Sequence, residues 1–226
     1  MQKYNSFKAT ALAALLSVMG VAAISPCQAA DIANYSVIKQ QNFVQTAAGS
    51  ASTDATAAFQ ITLAVEPADF TALQSANVRT PAGVDVPLSE DSNYIFTDIR
   101  PSLTQLNSAY ASGPYTFTFN TANDGLKTAV LNVPADAYGT TPFIINFADL
   151  QSISPTSDFT LQWTPFAEGT ASDFIQVQVI DDQLGFAVFD SGPLGTLGAL
   201  KGTDKTVMIP GGSLEPGKTY TGYIAS

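Results

Sequence analysis

The sequence contains no histidine and a single cysteine, Cys27. A Ser-His-Asp triad and a histidine-based metal site both require imidazole, so these two kinds of site are excluded. Cys27 lies in an N-terminal segment that we interpret below as an export signal, so thiol catalysis and cysteine-bound metals are not expected in the mature chain. We therefore expect no catalytic residue, no cofactor and no enzyme activity.

Basic residues are also scarce, at 9 Lys and Arg against 19 Asp and Glu. Lys3 and Lys8 belong to the N-terminal segment, which leaves 7 basic residues and a net charge of about −12 in the rest of the chain. Nucleic acids and anionic lipid surfaces are bound through clustered Lys or Arg. We exclude nucleic acid as a partner and expect an extracellular protein or a polysaccharide.

Residues 1–29 have the three parts of a secretory signal peptide. Lys3 and Lys8 give a positively charged start, residues 9–25 form an apolar stretch, and Pro26 ends it. A membrane anchor requires roughly 20 apolar residues, and this alanine-rich run is shorter. The segment therefore predicts export, with no integral membrane segment after cleavage.

The cleavage site is predicted from the small residues at the end of this segment. Cys27 and Ala29 occupy the two positions that a signal peptidase reads, so we expect cleavage after Ala29, with Ala30 as the neighbouring option. A lipoprotein attached through Cys27 is the alternative, but Pro26 directly before the cysteine makes a poor lipidation signal. We expect a secreted or cell-surface protein.

The mature chain is expected to be all-β. It is rich in Thr, Ser, Val and Phe, and its 16 glycines and 13 prolines indicate many turns. Exported proteins often use paired cysteines for stability. None remain here, so stability has to come from core burial in full-sized domains.

Residues 30–138 are interpreted as a β-rich domain with one short helix. Ser102 and Gln105 have the spacing of a helix capping box, which predicts a helix near 102–110. The stretch 47–58 is rich in Ala, Ser and Thr and is interpreted as a loop. Apolar and polar residues alternate with the period of a half-buried strand in Phe59–Val65 and in Tyr115–Phe119, and a turn signal at 123–125 makes the following segment the hairpin partner of the latter. The predicted strands are Tyr35–Thr46, Phe59–Val65, Ala76–Thr80, Tyr94–Ile99, Tyr115–Phe119 and Leu126–Val133.

Residues 139–226 are interpreted as a second β-sandwich-like domain in tandem with the first. Short apolar segments separated by Gly, Pro and Asp turns are typical of a β-sandwich. The predicted strands are Pro142–Phe147, Phe159–Trp163, Phe174–Ile180, Phe186–Asp190, Lys205–Ile209 and Thr219–Ala225.

This second half resembles a fibronectin type III or immunoglobulin-like domain. The segment Phe159–Pro165 resembles the family's second strand, whose tryptophan, here Trp163, anchors the core. The segment Phe174–Val179 resembles the third strand. The segment Leu214–Thr221 resembles the tyrosine corner before the sixth strand. The resemblance implies structural roles for Trp163, Leu214, Pro216, Gly217 and Tyr220.

The whole mature chain also resembles secreted bacterial proteins of unassigned function. The segments that carry this resemblance are Ser102–Tyr110, Gly113–Thr118 and Asn146–Ile153. It implies export and β-domains, and it brings no catalytic residues.

The resemblance to fibronectin type III leaves one strand unaccounted for. Such a domain has a seventh strand after the tyrosine corner strand, and the sequence stops at Ser226. A partial reading frame would explain this, and so would coverage by the first domain or an N-terminal segment. A third explanation is a groove that receives a donor strand from a neighbouring subunit, as in pilus assembly.

Three groups of residues are candidates for chemistry or binding. Ser36 and Lys39 have the Ser-x-x-Lys spacing of penicillin-binding enzymes, but they lie in a predicted strand without the companion motifs, which indicates a chance match. Asp181 and Asp182 precede Gly185 and are predicted to be solvated hairpin-turn residues, with calcium binding as the alternative. Exposed aromatic rings stack on sugars, and the candidates are Tyr94, Tyr110, Tyr138 and Tyr223.

The sequence thus favours an exported, non-enzymatic structural or adhesive module at the cell surface or outside the cell. The first alternative is a carbohydrate-binding accessory module, either without a metal ion or stabilised by calcium. A pilin-like subunit completed by a donor strand is the second. A glycoside hydrolase would need two carboxylates facing each other across a cleft, and the predicted strands give no sign of one.

Overall fold

The computed structural model describes residues 12–16, 31–69, 71–90, 93–136, 138, 141–166, 169–171, 173–192 and 199–225. Strands account for 52 % of the described residues and helix for 7 %. The strands form several antiparallel sheets, which confirms the predicted all-β, sandwich-like class. In the described residues no helix has both the length and the apolar character needed to cross a membrane.

The chain divides into two compact units. The N-terminal unit contains Ala55–Ala137 and the part of strand β2 (Ile32–Ala47) up to Gln40. The C-terminal unit contains Gln41–Asp54 and Tyr138–Ser226. The sequence-based division also changes near residue 138, but it assigns 41–54 to the first domain. The structure differs because β2 is one continuous strand that contributes its two halves to different units.

Two antiparallel sheets form the N-terminal unit. In the first, the strand order is β2, β4 and β7, and in the second it is β6, β5, β8 and β9. One helix, α1 (Leu103–Ala109), follows β7. The strands are β4 (Phe59–Pro67), β5 (Leu73–Arg79), β6 (Asp85–Leu88), β7 (Ile95–Arg100), β8 (Gly113–Thr121) and β9 (Gly125–Val133).

Strand β8 shows why this unit folds as a sandwich. Tyr115, Phe117 and Phe119 are all fully buried, since alternate residues of a strand point to the same face. The Phe117 ring lies 5.0 Å from the Tyr35 ring and 6.1 Å from the Phe119 ring, measured between centroids. The alternating pattern places these three rings on one face of β8, and their burial makes a large hydrophobic contribution to the folding of this unit.

Helix α1 begins where the capping pattern predicts. The Ser102 hydroxyl accepts the Gln105 N–H at 3.3 Å, which satisfies one of the free N–H groups of the first turn. Leu106 is fully buried in the core of the N-terminal unit. One polar cap and one apolar anchor therefore hold this short helix on the sheets.

The C-terminal unit is built from shorter strands. Strand β11 (Phe174–Asp181) pairs with β12, β13 and β15, and β10 pairs with β14, all antiparallel. Strand β1 (Leu12–Leu16) pairs with Gln41–Gln45 of β2. The remaining elements are β3 (Ser50–Thr53), α2 (Phe147–Leu150), β10 (Phe159–Gln162), β12 (Ala187–Asp190), β13 (Leu200–Lys201), β14 (Thr206–Ile209) and β15 (Tyr220–Ala225).

The predicted strand Pro142–Phe147 is wrong. Only Ile144 forms a bridge, with Trp163, and the chain then enters α2. The side chain of Asn146 replaces the strand pairing, because its Nδ2 donates to Thr160 O at 2.8 Å and its Oδ1 accepts the Gln162 N–H at 3.0 Å. A side-chain amide that satisfies the backbone of β10 lets the chain turn away from the sheet.

The predicted loop 47–58 is wrong in part, because it contains β3. This strand pairs with β2 through Ala47 and Ser50 across a two-residue turn. Gly49 adopts a φ of +91° there, which glycine reaches without steric cost. The short strands β6 and β13 were also not predicted.

Candidate functional site

The loop before β15, residues 214–220, is held by Tyr220. The Tyr220 ring is buried, and its hydroxyl oxygen accepts the Glu215 N–H at 2.7 Å. Leu214 is buried beside it, whereas Pro216 and Gly217 lie exposed at the turn. Gly217 has a φ of +81°, a conformation that favours glycine. This is the backbone-bonded tyrosine that the sequence predicts for this loop.

Removing the Tyr220 hydroxyl is expected to weaken this loop. In Tyr220→Phe the ring still fills its site, but the Glu215 N–H loses its acceptor. We expect the free energy of unfolding to fall by about 0.5–1.5 kcal/mol, the usual net contribution of one hydrogen bond, because Glu215 is exposed and its N–H can bind water in the variant. Chemical denaturation of the two proteins measures this. Tyr223→Phe, on a half-buried tyrosine of the same strand, is the control, and an equal loss in both variants would contradict this role for Tyr220.

Trp163 is a second anchor of the C-terminal unit. Its ring is fully buried, and its indole N–H donates to Asp204 O at 3.0 Å. Its backbone N–H donates to Lys205 O at 3.0 Å. The tryptophan is thus a core residue that also fixes the loop before β14, and both of its polar groups are used in holding backbone.

Asp181 and Asp182 lie at the hairpin between β11 and β12, as predicted, but Asp181 is buried rather than solvated. Its Oδ1 accepts the N–H groups of Gln183 at 2.9 Å and Leu184 at 3.0 Å. Its Oδ2 accepts Lys218 Nζ at 3.0 Å. Asp182 has a different partner, the Thr221 hydroxyl, at 2.7 Å. Asp181 therefore holds the turn of the hairpin, whereas Asp182 binds the neighbouring strand β15.

The buried carboxylate connects the hairpin to the tyrosine loop. Lys218 lies in that loop and binds both Asp181 and Glu215, the latter at 3.1 Å. Burial raises the pKa of Asp181, but the hydrogen bonds from Lys218, Gln183 and Leu184 outweigh it, and the net pKa is below the ordinary 3.8. Hydrogen bonds to Asp181 and Glu215 raise the pKa of Lys218.

Asp181 is expected to make the protein sensitive to acid. Because its pKa is lowered in the folded state, its contribution to stability is present at pH values above the ordinary pKa of 3.8 and is lost as the pH falls through the lower folded-state pKa. We expect Asp181→Asn to lower the melting temperature at pH 7 and to flatten its decline below about pH 4. Asp149→Asn, on an exposed carboxylate, is the control, and a decline in Asp181→Asn as steep as in the wild type would contradict this role.

Ser36 and Lys39 do not form a site together. They are three positions apart on β2, which places their side chains on opposite faces of the sheet. Lys39 is buried and bound to Asp136 and Asn107, whereas Ser36 is half-buried. The spacing that resembles a catalytic motif therefore does not bring the hydroxyl and the amine to one place.

Two of the four candidate tyrosines for sugar stacking are buried. Tyr94 is 1 % exposed, and its hydroxyl donates to Leu73 O. Tyr110 is 7 % exposed, and its hydroxyl donates to Asp98 Oδ2 at 2.7 Å. Burial and the Asp98 carboxylate raise the pKa of Tyr110 to about 12, so this hydroxyl stays protonated at neutral pH. Tyr138 and Tyr223 are half-buried.

Two of the exposed apolar residues lie on the hairpin that Asp181 supports. Leu184 is 53 % exposed and Phe186 is 56 % exposed. The sequence does not predict that the Phe186 ring is exposed. Phe186 is the first residue of the predicted strand Phe186–Asp190, and an aromatic residue of a strand is expected to face the core. Within the described parts of the chain, no group of three or more acidic or cysteine side chains is arranged to hold a metal ion.

Comparison of the chain with protein-family models and with curated proteins returned no match.

Proposed function

We propose that this chain is an exported, non-enzymatic protein whose two β-rich units form a structural or adhesive module at the cell surface or outside the cell. The observation that supports this most is the use of polar groups in the C-terminal unit. Tyr220, Trp163 and Asp181 all bind backbone groups of loops, and Asp181 adds an ion pair with Lys218. Polar side chains that bind the backbone of loops stabilise those loops. Stable loops suit a structural or adhesive protein whose surface has to keep its shape.

Attachment assays on living cells test this proposal. A strain without the gene is compared with the parent for binding to surfaces and to other cells, and protease added to intact cells reports whether the protein is accessible from outside. We expect the protein to be cleaved on intact cells and attachment to fall in the deletion strain. Protection from the protease in intact cells, with full cleavage after lysis, would contradict the proposal.

A carbohydrate-binding accessory module is the second candidate function, and the exposed Phe186 supports it. A ring that is more than half exposed can stack on a sugar face. A glycan array with the wild type and Phe186→Ala tests this, with Val84→Ala, another exposed apolar residue, as the control. Selective binding that only Phe186→Ala removes would favour this function, and the absence of selective binding would reject it.

Calcium belongs to this second candidate, through Asp181 and Asp182. Calcium takes six to eight oxygen ligands, and here Asp181 already accepts two N–H groups and the Lys218 ammonium. A calcium ion would have to displace Lys218. A melting temperature that is the same in calcium and in chelator would reject this version of the function.

A pilin-like subunit completed by a donor strand stays a third proposal. Such a subunit accepts a neighbour's strand at a sheet edge. Strand β15 pairs with β11 and lies next to β1, so it would receive a donor strand once cleavage after Ala29 removes β1. Polymers of the exported protein that resist dissociation in detergent at room temperature would favour this proposal. A monomer at all concentrations would reject it.

A further inference from the structure

A lysine amine is buried against an amide and a carboxylate in the N-terminal unit. Lys39 Nζ lies 2.6 Å from Asn107 Oδ1 and 2.6 Å from Asp136 Oδ1. The Lys39 side chain is 3 % exposed and that of Asp136 is 12 % exposed. We propose that Lys39 and Asn107 form an intramolecular isopeptide bond, with Asp136 transferring the proton.

The three residues come from distant parts of the sequence. Lys39 lies on β2, Asn107 on α1, and Asp136 in the segment that follows β9. Lys39 is 68 positions from Asn107 and 97 from Asp136. Their meeting is therefore a product of the sandwich fold, and it needs the two sheets and α1 to be in place.

The burial of Lys39 is unusual among the lysines of this chain. Within the described residues it is the only buried lysine. Removing an ammonium group from water is costly, and an apolar residue in the same place is often as stable or more so. A buried lysine that touches both an electrophile and a proton acceptor has the arrangement that nucleophilic attack requires.

The geometry brings the reacting atoms close together. Because the C=O bond of the Asn107 amide measures about 1.23 Å, Lys39 Nζ lies within about 3.8 Å of the amide carbon Cγ. Reacting atoms about 3–3.5 Å apart form a near-attack geometry, in which proximity removes much of the barrier. A small movement of either side chain is sufficient to reach it.

The reaction balances with the groups that are present. Asp136 takes a proton from the Lys39 ammonium, and the neutral amine attacks Cγ of Asn107. The tetrahedral adduct expels the amide nitrogen, which receives the proton from Asp136 and a second proton from Nζ. A new Nζ–Cγ amide forms, the Asn107 C–N bond breaks, and the nitrogen leaves as ammonium, so that Asp136 returns to a carboxylate.

Tyr115 is a buried residue near Asp136. It is fully buried, and its hydroxyl donates to Ala111 O at 3.0 Å. Burial and the nearby Asp136 carboxylate raise the pKa of Tyr115, so the phenol stays neutral and adds no competing charge. The burial of the Lys39 side chain itself, which is 3 % exposed, limits the access of water that would otherwise hydrolyse the adduct.

The bond would replace the cross-links that the sequence lacks. It joins β2 to α1 and closes the whole segment between them, which includes β4, β5, β6 and β7. Closing a long segment restricts the unfolded chain, as a disulfide does.

Peptide mapping by mass spectrometry of the full chain tests the proposal. We expect one branched peptide pair that joins Lys39 to Asn107, with a total mass about 17 Da below that of the separate peptides, which is the loss of ammonia. Separate, unmodified peptides would overturn the proposal. So would a loss of about 18 Da with a link from Lys39 to Asp136, since this is the loss of water.

A cyclic imide at Asn107 also loses ammonia, so mass alone is not sufficient. The imide leaves Lys39 unlinked, and an unbranched Asn107 peptide carrying the whole mass loss would overturn the proposal. Lys39→Met and Asn107→Ala are expected to abolish the branched peptide. Lys127→Met, on an exposed lysine of β9, is the control and is expected to retain it.

Asp136→Asn tests the proton transfer separately. We expect this variant to fold, as measured by circular dichroism, and to yield the separate Lys39 and Asn107 peptides. A branched peptide formed to the same extent in folded Asp136→Asn would overturn the role of Asp136. The peptide map of the wild-type protein tests the bond between Lys39 and Asn107 even if one of the variants fails to fold.

Discussion

Trp163→Ala is expected to lower the free energy of unfolding by about 3–5 kcal/mol, the range for removing a large buried aromatic side chain. The ring is fully buried, and its indole N–H holds Asp204 O at 3.0 Å. The variant therefore loses apolar burial and leaves a backbone acceptor unpaired. Because this is the single tryptophan of the chain, the transition should be followed by far-ultraviolet circular dichroism in guanidinium chloride.

Met208→Ala is the matched control for Trp163→Ala. Met208 lies on β14 in the same unit and is 54 % exposed. Exposed substitutions usually change stability by about 0.5 kcal/mol or less. A loss of similar size in both variants would contradict the anchoring role of Trp163.

Phe117→Ala is expected to have an effect of the same size in the N-terminal unit, about 3–5 kcal/mol. Its ring is fully buried between Tyr35 and Phe119, with centroids 5.0 and 6.1 Å away. The cavity would lie at the centre of the aromatic group, where the neighbouring strands leave little room to collapse. Denaturation monitored by circular dichroism measures the loss.

Val130→Ala is the control on the neighbouring strand. Val130 lies on β9 opposite Thr116 and is 55 % exposed. We expect a change of about 0.5 kcal/mol or less. If Phe117→Ala unfolds at the same denaturant concentration as Val130→Ala, the aromatic cluster is not the core of this unit.

The all-β class and most strands could be predicted because local pattern and tertiary burial agree in them. In β8 the alternation of aromatic residues with threonine matches the burial of Tyr115, Phe117 and Phe119. Helix α1 was predictable for a similar reason, since the Ser102 cap acts within one turn. The structural role of Tyr220 is an expectation from the resemblance of Leu214–Thr221 to a tyrosine corner, and in the structure its hydroxyl accepts the N–H of Glu215, five positions away.

The remaining features depend on contacts between distant residues. Asn146 ends a predicted strand because its side chain binds the backbone of β10, 14 and 16 positions away. Nothing in the local pattern of 142–147 indicates that partner. Strand β3 lacks apolar alternation and forms only because β2 offers it a backbone to pair with.

The burial of charged groups was the least predictable property. Asp181 has the sequence of a solvated turn residue, yet the N–H groups of its own turn and the distant Lys218 hold it inside. In the sequence, Lys39 stands out only through a Ser-x-x-Lys spacing that is interpreted as a chance match. Its partners in the structure are 68 and 97 positions away. Sequence spacing indicates neither environment, because each is created by the packing of separate elements.

The proposed function requires that this chain works outside the cytoplasm, and N-terminal sequencing of the protein recovered from cell fractions tests this claim most directly. We predict that the protein is found in the envelope or the medium and that its first residue is Ala30, after cleavage behind Ala29. Recovery in the cytoplasm with residues 1–29 still attached would contradict the claim and the proposed function with it.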